Sequence, residues 1–204
     1  MPSTTKPLRS SVLLAALCVA QGVFALSSDR SKPLNVDADH WQSTQSQTGK
    51  AGDPDITKLD GNVVMTQGSM QAHAGHATIY KNPSGVADAS GNYGSLTRIV
   101  LTGQPAHLQQ VHDGDCSLVT ADADSIDYDN LSGIALLTGN VSVIQHGKGE
   151  FHGQRMRYNT NTGEMESGDA SPDSRVHMVM QPKSQQSKPA ANADCTKAAA
   201  AATH

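Results

Sequence analysis

In several segments between Leu34 and Met180 apolar and polar positions alternate with a period of two. Val63 and Met65 fall on one side with Val64 and Thr66 on the other, and Val141 and Val143 oppose Ser142 and Ile144. Ala121 and Ala123 alternate with Asp122 and Asp124, then Ile126 and Tyr128 with Asp127 and Asp129. Period two is the signature of half-buried β-strands, because successive side chains leave a strand on opposite faces. No stretch in this region shows a convincing 3.6-residue period, so the pattern predicts an all-β domain of many short antiparallel strands. "PLNVDADHW" at 33–41 reads as a first strand, with Leu34 and Val36 inward and Asn35 and Asp37 outward. "SRVHMVMQP" at 174–182 reads as a last one, leaving a strand at each edge with free backbone groups to offer.

The alternation recurs as a longer repeat. Leu59–Tyr80 aligns without a gap on Leu137–Tyr158, and a looser copy runs from Leu101 to Tyr128 with six extra residues, which fit an enlarged turn at "VHDGDC". Each copy has a glutamine before its central turn (Gln67, Gln110, Gln145) and a glycine after its closing tyrosine, in "YKNPSG", "YDNLSG" and "YNTNTG". Those glycines supply the positive φ that tight hairpin turns demand. Repetition of one hairpin unit means an architecture assembled by stacking hairpins into one sheet.

The ends change the picture. A basic stretch with Lys6 and Arg9, an apolar run from Val12 to Ala20 and small residues at Val23 and Ala25 have the order of a secretory signal peptide, residues 1–25, cut after Ala25. The apolar run is short of the roughly 20 residues that span a bilayer. The formal net charge of −4 becomes −6 once Lys6 and Arg9 leave, and no polybasic run remains to hold nucleic acid or an anionic membrane. Residues 183–204, "KSQQSKPAANADCTKAAAAATH", are too poor in apolar bulk to fold and read as a disordered tail. Two cysteines remain, Cys116 and Cys195, and their pairing is left open by the sequence. The ordered domain is 33–182, about 150 residues, enough for one core.

Candidate chemistry is sparse. Among nine histidines, His73 and His76 are the nearest pair to consider for a metal, but two intervening residues on a regular strand would place them on opposite faces, and no third ligand completes a site. The aspartates at 113, 115, 122, 124, 127 and 129 suggest calcium, yet counting from Asp122 the sixth position is Asp127 rather than Gly and the twelfth is Gly133 rather than Glu. They read as a solvated outer face. No nucleophile elbow, phosphate loop or dinucleotide fingerprint is present, so the chain does not read as an enzyme and no cofactor is expected. One Trp, four Tyr and two Phe are few for a sugar-stacking surface, and Tyr80, Tyr128 and Tyr158, at equivalent repeat positions, read as structural rings with wet hydroxyls. The inner face is instead aliphatic and thioether.

In "LDGNVVMTQGSMQAHA", "GQPAHLQQVHDG", "ADADSIDYD", "LLTGNVSVIQ" and "RYNTNTG", in that order from about Pro33 to Pro182, the chain resembles the OstA-like family of LptA, periplasmic lipopolysaccharide transport proteins of Gram-negative bacteria. The resemblance implies a twisted, partly open antiparallel β jelly roll forming a V-shaped trough. It implies a noncatalytic bridge in the periplasm that takes lipopolysaccharide from LptC at the inner membrane toward LptD at the outer membrane, with units pairing head to tail through edge strands. Matched motif by motif, the lipid-binding, trough-facing residues would be Leu34, Val36, Val63, Met65, Leu108, Ile126, Tyr128, Val141 and Val143. The polar segment at 42–58 is longer than the family's first turn, which leaves the register of the first strand open.

Four other readings compete. LptC shares the fold but keeps an N-terminal anchor, against which the expected cut after Ala25 argues, and the N-terminal domain of LptD precedes a large barrel. A secreted glycan-binding or adhesion module could be built on β repeats, and a repeat-built polysaccharide lyase is the enzymatic reading.

Overall fold

A computed structural model of the chain describes residue 29, residues 32–50, 52–83, 95–112, 116–168 and 175–182, and residue 195. The expected signal peptide lies outside the described residues, as does the expected tail apart from Cys195; Asp113 and Asp115 of the acidic cluster also lie outside them. Among the described residues ten strands form one antiparallel sheet: β1 (Asn35–Asp37), β2 (His40–Thr44), β3 (Asp55–Gln67), β4 (Met70–Lys81), β5 (Leu96–Val111), β6 (Leu118–Asp129), β7 (Ile134–Gln145), β8 (Gly149–Asn159), β9 (Met165–Ser167) and β10 (His177–Met180). The three sequence repeats are the hairpins β3–β4, β5–β6 and β7–β8, as the period-two reading requires.

The strand order is β1-β3-β4-β5-β6-β7-β8-β10, and the sheet does not close. Each outermost long strand is covered by two short ones. β3 pairs with β2 along Ile56–Asp60 and with β1 along Val64–Thr66. β8 pairs with β10 along Gly149–His152 and with β9 along Met156–Tyr158. The polar segment at 42–58 therefore divides: its first residues finish β2, its last begin β3, and the turn between is closed on Asp53, which accepts bonds from Ser46 Oγ, Thr48 N and Thr48 Oγ1 at 2.9 Å each. The backbone bond from Thr48, then those two hydroxyls, lower the Asp53 pKa below its ordinary value.

Every pairing between long strands is interrupted near its middle: at Asp60/Val63, His73/His76, Thr102/Ala106, Asp122/Ser125 and Thr138/Val141. Two of these breaks fall on the repeated Gly-Asn dipeptide, with φ of +80° and +45° at Gly61 and Asn62 and +76° and +47° at Gly139 and Asn140. Such consecutive left-handed residues bulge one strand against its partner and bend it. An aspartate holds each bulge: Asp39 accepts from Asn62 Nδ2 at 2.7 Å, and Asp124 from Asn140 Nδ2 at 3.0 Å. A Cβ at Gly61 or Gly139 would run into that same aspartate.

The interruptions also change parity, which corrects two sequence expectations. In β4 the buried set moves from Ala72 and Ala74 to Ala77 and Ile79, an odd step, so His73 and His76 share the outer face rather than lying on opposite ones. The tyrosines do not share a face. The β3–β4 turn has two residues, Gly68 and Ser69, and the β7–β8 turn three, His146 to Lys148, so an ungapped alignment hides a flip of β8 relative to β4. Tyr158 is buried, Tyr128 packs against the core, and Tyr80 lies outside with the Arg98 guanidinium 5.5 Å from its ring centroid.

We expect Gly139→Val to lower stability by about 2 kcal/mol through strain at positive φ and Asp124→Ala by about 1 kcal/mol through the lost bonds to Asn140. Urea unfolding of the two variants beside wild type measures both; a Gly139→Val midpoint equal to wild type would refute the bulge as a constraint.

Candidate functional site

The inner face is a continuous apolar cluster drawn from β3 to β8. Its largest fully buried side chains are Met65, Ile126, Leu137, Met156, Val63 and Val143. All nine residues expected on the trough side face this interior: Val63, Met65, Leu108, Ile126, Val141 and Val143 are buried, and Leu34, Val36 and Tyr128 are half-buried and packed against them. The structure separates them into three groups. Leu34 and Val36 of the first strand line an open groove with a volume of about 890 Å³ at the β1 edge. Met65, Leu108, Ile126 and Tyr128 line a much smaller internal space of about 40 Å³. Val63, Val141 and Val143 line neither and pack as core.

Volume decides what each space can hold. Taking for one methylene roughly the 30 Å³ that a water occupies in the liquid, the groove has room for many such groups and the inner space for about one. The deeper interior is filled by the protein's own side chains. The groove also contains residues the sequence reading missed, among them Ala38, Trp41, Ile79, Leu96 and Lys81. Ile79 was recoverable, since it alternates with Ala77. Trp41 was hidden by the unresolved register of the first strand; it stands on β2 with 66% of its surface exposed. Lys81 sits at the end of β4, a cation beside an otherwise apolar and uncharged polar wall apart from Asp37.

At the opposite end, the Asp29 carboxylate is buried against the inner space and accepts the Ser69 hydroxyl. Ser69 Oγ in turn accepts from Val111 N at 3.3 Å, tying the β3–β4 turn to the end of β5. Thr160 donates to the Gly133 carbonyl at 2.9 Å and joins Asn161 in lining the same space, so the end of β8 folds over toward the β3–β4 end.

The outer face is polar. Arg98 makes a two-pronged bond to Asp127, which holds its guanidinium more firmly protonated. Asp122 contacts His107 Nδ1 at 2.7 Å, Asp60 contacts His76 Nδ1 at 2.8 Å, and Asp129 accepts from Leu131 N and Ser132 N in its turn. The described aspartates of the acidic cluster are thus spent singly on cross-strand and turn partners. Among the described residues no three His, Cys, Asp or Glu side chains converge on a point that could hold a metal, and no helix is long and apolar enough to cross a membrane. Cys116 and Cys195 form a disulfide, closing a loop with a sequence separation of 79 and bringing residue 195 back to the β5–β6 turn.

An open antiparallel β roll, apolar within, polar without and mouthed at one edge, is the kind of fold that can shelter apolar matter. The chain belongs to the family described as LptA/(LptD N-terminal domain) LPS transport protein, whose model matches residues 35–164. It is 28% identical over 180 residues to the lipopolysaccharide export system protein LptH of Pseudomonas aeruginosa, covering 84% of this chain and 93% of that protein. The crystal structure of LptH, described as the LptA homologous periplasmic component of the conserved lipopolysaccharide transport device of that organism, superposes with a TM-score of 0.60. That match has 27% identity and covers 76% of this chain and 99% of the other. The expected OstA-like β fold and the lipopolysaccharide transport family are therefore both established, and the relatives are transport proteins.

Two predictions follow from the division of the interior. Leu137→Ala, at a fully enclosed site, should cost about 2–5 kcal/mol, whereas Leu34→Ala, at the half-open groove, should cost under about half as much; equal losses in urea unfolding would contradict the separation of core from groove. Burial pushes the Tyr158 phenol up to about 12. A raised folded-state pKa stabilises below the unfolded value, and the contribution is lost as pH rises from about 10 through 12, amounting to roughly 2–3 kcal/mol. Unfolding free energies of wild type and Tyr158→Phe between pH 9 and 11.5 should diverge in that window, with wild type falling faster.

Proposed function

We propose that the chain is an exported, noncatalytic carrier in the periplasm that moves lipopolysaccharide toward the outer membrane by sheltering lipid A acyl chains. One observation carries this reading: the apolar inner face is continuous with an open groove at the β1 edge, where Leu34 and Val36 meet Trp41 and Lys81. Burying one methylene is worth roughly 0.8 kcal/mol, so a twelve-carbon chain in water costs on the order of 10 kcal/mol. An open roll removes that cost while leaving the sugar portion hydrated. A cation at the mouth suits the anionic phosphates of a lipid headgroup.

The partners follow from the edges. β1 with β2, and β9 with β10, are short strands whose outward backbone groups can extend the sheet into another protein. We assign the N-terminal edge to LptC, the C-terminal edge to LptD, and the two together to head-to-tail self-association. β10 supports this with Met178 and Met180 exposed at 50% and 73%.

Photocrosslinking in the periplasm of the native host, from a photoreactive residue at position 36 with position 35 as control, tests the assignment. Val36 faces the groove and Asn35 faces solvent. We expect lipopolysaccharide captured from 36 and not from 35. Capture from neither, with the protein exported and folded, would remove the groove assignment and favour a glycan-binding module.

A further inference from the structure

Four of the nine histidines lie in one row across the sheet. Successive register partners run His73, His107, Asp122, Ser142, His152, His177 through five neighbouring strand pairs. The row follows the outer face, away from the apolar interior. It contains two rungs at which imidazoles stand directly opposite one another: His73 with His107, ring centroids 6.3 Å apart, and His152 with His177, 6.2 Å apart.

The two rungs differ in what stands behind them. His107 Nδ1 is 2.7 Å from Asp122 Oδ1. An ionised carboxylate can only accept, so Nδ1 carries the hydrogen and Nε2 of the neutral ring keeps its lone pair. A carboxylate behind a histidine is the arrangement that fixes tautomer and orientation in metal-ligating imidazoles and raises their basicity. At the other rung Glu150 is 3.7 Å from His152 Nε2, beyond hydrogen-bond distance, and Arg175 borders the same cleft as His152 and His177. A fixed cation opposes a second one.

The spacing suits a shared ion. A metal–nitrogen bond of about 2.0–2.1 Å places each ring centroid roughly 3.2 Å from the metal, so two ligating rings have centroids at most about 6.4 Å apart, and about 5.2 Å at a tetrahedral angle. At 6.3 Å the first rung needs about 1 Å of approach for that angle. His73 is exposed on the sheet surface and has the rotamer freedom to supply it.

We propose that His73 and His107, backed by Asp122, form an open two-imidazole site for a borderline divalent transition-metal ion such as Zn²⁺ or Cu²⁺. Imidazole nitrogen selects this class over Mg²⁺ and Ca²⁺, which prefer oxygen. The remaining coordination positions belong to water, so affinity is modest and binding is independent of the groove. Both rings must be neutral at the ligating nitrogen, so acid releases the ion.

Calorimetric titration of the full exported chain with Zn²⁺ alone, at pH 7.5 and 5.5, tests this with three variants: His73→Ala, Asp122→Asn and His177→Ala. The tightest event should appear at pH 7.5 and vanish at pH 5.5. His73→Ala should weaken it at least tenfold, Asp122→Asn by about 10–100-fold, and His177→Ala should leave it unchanged. Imidazole resonances recorded during a Cu²⁺ titration give a second readout on unmutated protein: His73 and His107 should broaden first. No saturable binding at pH 7.5, a tightest event that survives His73→Ala, or first broadening at His152 and His177 would overturn the assignment.

Discussion

An open sheet must bury one face without closing on itself, and everything else in this structure answers that requirement. A flat ten-stranded sheet would leave the inner row of Val, Ile, Leu and Met in water. Here each pairing of long strands shifts register near its middle, where a bulge can bend the sheet, and the inner faces share one apolar filling. The bends come from local chemistry: Gly-Asn pairs at positive φ in two hairpins, clamped by Asp39 and Asp124, and a Gly75–Gly103 close approach in the neighbouring pair. Without them the alternation would still form strands, but not a cavity-bearing roll.

The same bends explain what could and could not be read from the amino acids. Period two is local, so strand existence and the facing of each half-strand were legible, and Val63, Met65, Leu108, Ile126, Val141 and Val143 stood out as inward residues. Parity across a bulge is not local. It depends on how many residues the partner strand uses over the same span, which is why His73 and His76 come to one face and why Tyr80 parts from Tyr158. The Gly-Asn dipeptide was visible in both copies, yet its meaning required the aspartate that meets it from a different strand. The mouth was read least well: Trp41 and Lys81 belong to it through pairings of β2 and β4 that no motif announces.

Edges are the second demand of an open sheet. Closure would abolish them, and a soluble protein ordinarily blunts them with charge, proline or short strands. This chain uses shortness: two stubs along β3 and two along β8, each reaching only part of the long strand it covers. Shortness hides most of the hydrogen-bonding groups of β3 and β8 while leaving the stubs able to pair outward. The proposed head-to-tail assembly would need that compromise, because a fully capped edge could not join and a long bare one would aggregate.

A carrier also has to release what it holds, and the packing of the interior sets how. If the whole inner face were an empty channel, an acyl chain of about twelve carbons would gain on the order of 10 kcal/mol on entry and would leave slowly. Instead the deep interior offers about 40 Å³ while the groove at the mouth offers about 890 Å³. On the proposed role, a chain entering beyond the groove would have to displace packing around Met65, Leu108, Ile126 and Tyr128, and that loss would offset part of its own burial. The net affinity falls toward a value that permits transfer to the next apolar surface. In the proposed carrier, self-packing of the trough would thus serve stability without a ligand and keep the loaded state from becoming a dead end.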